Sequence, residues 1–134
     1  MPRLFGQTMT RAELMGRVGD LAQIGGLRRS RLLEGASDGV EIIELETASG
    51  LKLDVLPSRG LDIGRASWGG RPLAWLSASG FAHPAYFTEG GHDGWLSRFG
   101  GGLLTTCGLL NVGEPSVIDG HAYGLHGRDR RAHV

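Results

Sequence analysis

The sequence predicts a mainly β protein, an antiparallel sheet or β-sandwich preceded by a short N-terminal helix. Two observations carry this. Glycine supplies 24 of the 134 residues, more than twice the roughly 7% usual in proteins, while the apolar share is that of a folded chain. The glycines fall between short apolar runs at close spacing, the punctuation of strands joined by tight turns. The chain shows no 20–50-residue periodicity of a solenoid or propeller. At 134 residues it has the length of one domain with one core.

In chain order, Thr10 followed by Glu13 forms a capping-box pattern. Ala12, Leu14, Met15 and Val18 give a possible apolar stripe ending at Gly19, so one short helix is expected there and nowhere else. Residues 1–22 read as a helical lead-in and residues 23–134 as the β domain. Leu27–Leu33 is the first strand. Val40–Thr47 is the second, bounded by Asp38-Gly39 and Ser49-Gly50, and its broken alternation at Ile42-Ile43 predicts a bulge. Leu51–Val55 alternates cleanly and pairs with it as a hairpin through Ser49-Gly50. Leu61–Trp68 and Pro72–Leu76 are joined through Gly69-Gly70.

Charge narrows the partners. Acidic and basic residues balance at 14 each, with nine of each sign in residues 1–67 and five of each in 68–134. The basic cluster Arg28, Arg29 and Arg31 is answered nearby by Glu34, Asp38 and Glu41. This pattern points away from nucleic acid and from anionic membranes. A single cysteine, Cys107, permits no internal disulfide. There is no signal-peptide pattern, and no apolar run near the roughly 20 residues that span a bilayer. A cytoplasmic location is therefore expected.

The functional weight is expected in the Gly-rich stretch from Trp95 to Arg128, with four constellations to weigh. Arg59 and Asp62, in Pro57-Ser58-Arg59-Gly60-Leu61-Asp62, either pair with each other and with turn backbone or orient ligand hydroxyls. The loop from His83 through Phe87 to His92-Asp93-Gly94-Trp95 sets aromatic beside polar side chains, and Trp95 reads as either a core anchor or a ligand platform. Phe99-Gly100-Gly101-Gly102-Leu103-Leu104-Thr105-Thr106-Cys107-Gly108 lacks the GK[ST] ending and the helix of a phosphate loop. It reads better as a strand entered through glycines, passing close to another backbone or a ligand. Cys107 within it reads as a buried structural residue. Finally, Gly124-Leu125-His126-Gly127-Arg128 presents a histidine between glycines, with an arginine beside it. Cys107, His121 and His126 do not have zinc spacing, so no metal and no cofactor is expected.

Four segments together resemble the aldose-1-epimerase-like (galactose mutarotase-like) family, in particular a bacterial branch carried as a domain of unknown function. They are Leu56-Pro57-Ser58-Arg59-Gly60-Leu61-Asp62-Ile63, Gly70-Arg71-Pro72-Leu73-Ala74-Trp75, Gly101-Gly102-Leu103-Leu104-Thr105-Thr106-Cys107-Gly108-Leu109 and Gly124-Leu125-His126-Gly127-Arg128. The resemblance covers roughly residues 23–134. It implies a large antiparallel β-sandwich with a sugar site in a cleft on one face. It also implies proton transfer at an anomeric centre: a base takes the anomeric hydroxyl proton while an acid protonates the ring oxygen. His126 matches the histidine of the family's HG motif and is the catalytic candidate. The substrate-binding candidates are Arg59, Asp62, Trp95, Asn111 and Arg128, with Arg98 a weak counterpart of the mutarotase arginine. The principal acid histidine and the base glutamate of mutarotases follow that motif, and this sequence ends eight residues after His126. The expectation is therefore an N-terminal portion of an incomplete sandwich, inactive by itself and open to self-association through bare strand edges. The alternative is a non-catalytic sugar-binding or sensing module on the same fold.

Overall fold

The structure is a computed structural model that describes residues 3–4, 6–86, 91–106 and 111–126. The chain begins with a two-stranded hairpin, β1 (Arg3–Leu4) and β2 (Gln7–Thr8), followed by α1 (Arg11–Met15). The capping box is complete: Glu13 N–H donates to Thr10 Oγ1 (3.2 Å) and Thr10 N–H donates to Glu13 Oε2 (2.7 Å). The helix stops at Gly16, short of the expected end at Gly19, because none of its residues is buried. An apolar stripe with nothing to pack against does not extend a helix beyond its cap. Thr10→Ala is accordingly expected to cost α1 about 1 kcal/mol, seen as lost amide protection over residues 11–16 with the sheet amides unchanged.

The main element is a five-stranded antiparallel sheet in sequential order: β3 (Gly26–Arg31), β4 (Glu41–Glu46), β5 (Leu51–Leu56), β6 (Asp62–Trp68) and β7 (Arg71–Pro72). The β4–β5 and β6–β7 links are the predicted turns. Both Gly69 and Gly70 have positive φ, at 54° and 79°, as a two-residue hairpin loop requires. Two of the three clustered arginines are paired across strands. Arg29 meets Glu41 at 2.6 Å, and Arg28 pairs with Glu44.

The expected bulge at Ile42-Ile43 is absent, since β4 runs in unbroken register with both β3 and β5. Its alternation fails because both faces of the strand carry apolar neighbours. Ile42 belongs to the core cluster with Val40, Leu56 and Phe81, while Ile43 and Leu45 lie opposite Val55 and Leu53. A register shift occurs instead between β5 and β6, where Gly64 and Arg65 stand against Asp54. The extra residue is a glycine for a packing reason. A Cβ on Gly64 would lie 2.8 Å from Phe81 Cζ, so the bare backbone lets that ring seal the core.

The fifth predicted strand, Pro72–Leu76, is divided. After Leu73 N–H bonds to the Ala66 carbonyl (2.8 Å), the chain leaves the sheet. Residues Trp75–Leu76 form β8, which pairs with β9 (Gly101–Gly102). Between them lies a second helix that the sequence did not suggest, α2 (Gly91–Leu96). Its glycines are poor helix formers, and the stacking of Trp95 on neighbouring rings outweighs that preference. The last described hairpin joins β10 (Ser116–Ile118) to β11 (His121–Tyr123).

The fold is thus mainly β with antiparallel sheets and short helices. Around the five-stranded sheet, the described residues supply two-stranded ribbons. Large apolar side chains stay exposed on them, Trp75 at 65% and Val117 at 72% among them. Among the described residues no helix is long and apolar enough to cross a membrane.

Candidate functional site

The site grows from the turn after β5. Pro57–Arg59 makes one 3-10 turn that ends on Gly60 in the left-handed region, and Leu61 shares that conformation at φ 67°. This double reversal sends both Arg59 and Asp62 inward. Arg59 Nη1 donates to the Ala82 carbonyl (2.7 Å) and Nη2 to the Arg98 carbonyl (3.4 Å). Its Nε lies 3.5 Å from Asp62 Oδ2, with both side chains almost wholly buried. Asp62 Oδ1 accepts the Thr106 N–H at 2.7 Å. Thr106 Oγ1 lies 2.9 Å from that oxygen and 2.7 Å from the Gly60 carbonyl, so two acceptors share one hydroxyl proton. The pairing of Arg59 with Asp62 and with backbone is therefore present. The two residues tie three chain segments together.

One of those segments is the Gly-rich stretch. Leu103 N–H and Ile63 N–H bond across β6 to the Ile63 and Leu104 carbonyls, each at 2.8 Å, and Ile63 pairs with Leu104 as an isolated bridge. Gly101 and Gly102 have φ of 70° and 130°. A Cβ there would stand 2.6 Å from the Trp75 carbonyl and 2.5 Å from the Ile63 carbonyl. The glycines are a close approach of backbone to backbone.

Beyond them the aromatic side chains form a row. Trp75 stacks on Phe99 at 6.2 Å between ring centres, and Phe99 on Trp95 at 4.5 Å with the planes 18° apart. The Trp95 ring then meets the His126 imidazole at 5.2 Å, tilted by 50°. Arg98 places its guanidinium 5.8 Å from the centre of the Tyr86 ring, a cation–π distance. Trp95 is thus both a packing anchor for α2 and the surface against which the histidine rests.

His126 is held by its own backbone and ring. Its φ is +57°, a strained conformation for a residue with a side chain. Its N–H donates to the Gly113 carbonyl (3.0 Å), and the Gly113 N–H donates to His126 Nδ1 (3.2 Å). A ring nitrogen that accepts a backbone N–H carries no proton, so the neutral imidazole is protonated at Nε2. Asn111 reinforces the same segment, its Nδ2 donating to the Gly124 carbonyl (2.9 Å). Asn111 Oδ1 is buried and has no hydrogen-bond partner among the described residues.

Of the predicted residues, Trp95 and His126 are in ring contact and Asn111 braces the backbone two residues before His126, a cluster called the His126 wall. Arg59 and Asp62 instead brace the Gly-rich segment through the Arg98 carbonyl and Thr106. Arg128 and Cys107 lie outside the described residues. Nothing in the sequence pointed to the surface pair His92–Glu114 at 3.1 Å, which links α2 to the segment carrying Gly113. Partners 22 residues apart on irregular chain leave no periodic signal. Among the described residues no three His, Cys, Asp or Glu side chains gather as a metal site would need.

The family described as a domain of unknown function, DUF4432, matches residues 37–132. No curated protein matches the chain. Among solved structures, the crystal structure described as a "putative aldose 1-epimerase" from Klebsiella pneumoniae subsp. pneumoniae MGH 78578 superposes with a TM-score of 0.69 at 26% identity. The alignment covers 80% of this chain and 28% of that one, so the present sequence spans under a third of its relative's length. With the matched segment taking in β4 through the His126 wall, the chain belongs to the DUF4432 family and has an aldose-1-epimerase-like fold.

Proposed function

We propose that the Trp95–His126 wall binds a sugar, as part of a larger protein that interconverts sugar anomers. The observation that carries the reading is the Gly113–His126 bond. It leaves Nε2–H as a hydrogen-bond donor beside the Trp95 ring. A pyranose suits that pair: its C–H face rests on apolar surface while an oxygen accepts from the imidazole. In the reaction this hydrogen bond orients the ring oxygen, a separate acid of the larger protein protonates it, and a base removes the anomeric hydroxyl proton, so that the ring opens. The C1–C2 bond then turns, and reclosure gives the other anomer.

One observation favours binding without catalysis by this chain alone. Among the described residues, those that contact His126 are the Trp95 ring and the Gly113 backbone, and neither exchanges a proton near neutral pH. The complementary base is assigned to the rest of the larger protein. Asn111 and the buried Arg59–Asp62 pair are assigned to shaping the wall, and Arg128 is kept as a candidate for binding the sugar.

NMR titration of the full chain with a panel of aldoses tests the reading, with the Trp95 indole and His126 ring signals as reporters. Saturable shifts of both are expected for at least one sugar. His126→Ala is expected to weaken that binding about tenfold, the worth of one good hydrogen bond. Exchange spectroscopy on the same samples separates binding from anomer interconversion. If no sugar moves either signal, the proposal fails.

A further inference from the structure

We propose that the five-stranded sheet carries a second ligand site, for a small hydroxylated carboxylate read by Asp54 and Arg65. It does not depend on His126. A cavity of about 520 Å³ stands over one face of the sheet, a volume within the range of small-molecule sites. None of Trp95, Asn111 and His126 lines it.

The strand register builds its floor. Arg28 stands opposite Glu44, and Glu44 opposite Asp54, so these side chains share one face. The register shift sets Gly64 and Arg65 against Asp54. Because Gly64 lacks a side chain, the Phe81 ring closes down over it. Phe81 and Leu76 then supply an apolar wall beside the charged floor.

Pairing decides which charges remain available. Arg28 Nε donates to Glu44 Oε2 at 2.9 Å, and Ser30 Oγ donates to Glu44 Oε1 at 2.8 Å. The Ser30 bond, and then the Arg28 guanidinium, hold the Glu44 carboxyl below its usual range. Lys52 is engaged by Glu46 at 2.8 Å. Asp54 and Arg65 feel each other's charge, yet among the described residues neither enters a salt bridge. Burial raises the Asp54 carboxyl above its ordinary value despite Arg65. The cavity therefore holds one acceptor and one guanidinium fork without a close partner.

A ligand that satisfies both needs a hydroxyl to donate to Asp54 and an oxyanion for the fork of Arg65. Two carboxylates, Glu44 and Asp54, line the same cavity. Arg28 and Lys52 of the lining are already paired to Glu44 and Glu46. Arg65 is therefore the guanidinium left beside Asp54, and one such cation matches a singly charged carboxylate better than a dianion such as a phosphate monoester. A neutral sugar would give Arg65 no charge to pair with.

The test is calorimetric and NMR titration of the full chain with D-gluconate and D-galacturonate, beside D-glucose and glucose 6-phosphate. Saturable binding of at least one acid is expected, with shifts at Asp54, Arg65 and Phe81. Affinity should drop about tenfold in Arg65→Gln and in Asp54→Asn, and less in Arg65→Lys. Arg65 is exposed, so its variants are expected to keep the wild-type circular dichroism, and the shift map reports the site without any substitution. Binding in His126→Ala should equal wild type, which separates this site from the sugar wall. The proposal is overturned by absence of saturable binding of both acids, by unchanged affinity in Arg65→Gln, by equal affinity for glucose or the phosphate, or by loss of binding in His126→Ala.

Discussion

Gly102→Ala is expected to destabilise the chain by about 3–5 kcal/mol. At φ 130° a side chain is strained wherever it points, and a Cβ here would lie 2.5 Å from the Ile63 carbonyl oxygen. That oxygen accepts the N–H groups of Leu103 (2.8 Å) and Leu104 (3.1 Å). Pushing it away breaks the seam joining β6 to the Gly-rich segment, and the β8–β9 pairing goes with it. Gly70→Ala provides the comparison. Gly70 also has positive φ, but nothing lies within 4 Å of its added Cβ, so strain alone should cost about 1 kcal/mol. Urea unfolding of both variants measures the difference. Equal losses would show that the close approach at Gly102 does not matter.

Asp62→Ala should be nearly as damaging, at about 3–5 kcal/mol, the usual cost of removing one member of a buried ion pair. Only 3% of Asp62 is exposed. Its loss strands the Thr106 N–H and leaves Arg59 without its carboxylate. Asp62→Asn keeps an oxygen for Thr106 and should recover part of the loss. The same experiment bears on function, because the segment that Asp62 holds leads toward the His126 wall. A structural brace predicts that Asp62→Ala lowers the unfolding midpoint along with any sugar affinity. A direct ligand contact predicts lost affinity with an unchanged midpoint.

Much of the local structure was legible in the residues. Thr10 and Glu13 announce the helix cap because both of its hydrogen bonds are local. Gly69-Gly70 announces a hairpin because two successive positive φ angles suit few other residues. The Gly100–Gly102 run also reads correctly, since its lack of phosphate-loop companions leaves close backbone passage as the physical reason for glycine. The errors fall where distant segments decide. The alternation at Ile42-Ile43 suggested a bulge, but apolar contacts on both faces of β4 explain it. The real register shift sits at Gly64, where its cause is Phe81, 17 residues away in the chain. The helix α2 owes its place to Trp95 stacking and not to its own propensities.

For the site, the family resemblance carried by the sequence made His126 the catalytic candidate and placed Trp95 and Asn111 among the binding candidates, while the residue types alone left Trp95 open between core anchor and ligand platform. The sequence also posed both readings of Arg59 and Asp62 without choosing between them. Only the tertiary structure could place their polar atoms, since the Ala82, Arg98 and Thr106 partners come from segments 23 to 44 residues away. The tautomer of His126 was likewise beyond the sequence, being set by a backbone N–H 13 residues upstream. Local chemistry chose the residue types; long-range hydrogen bonds chose which of their polar atoms are engaged within the fold.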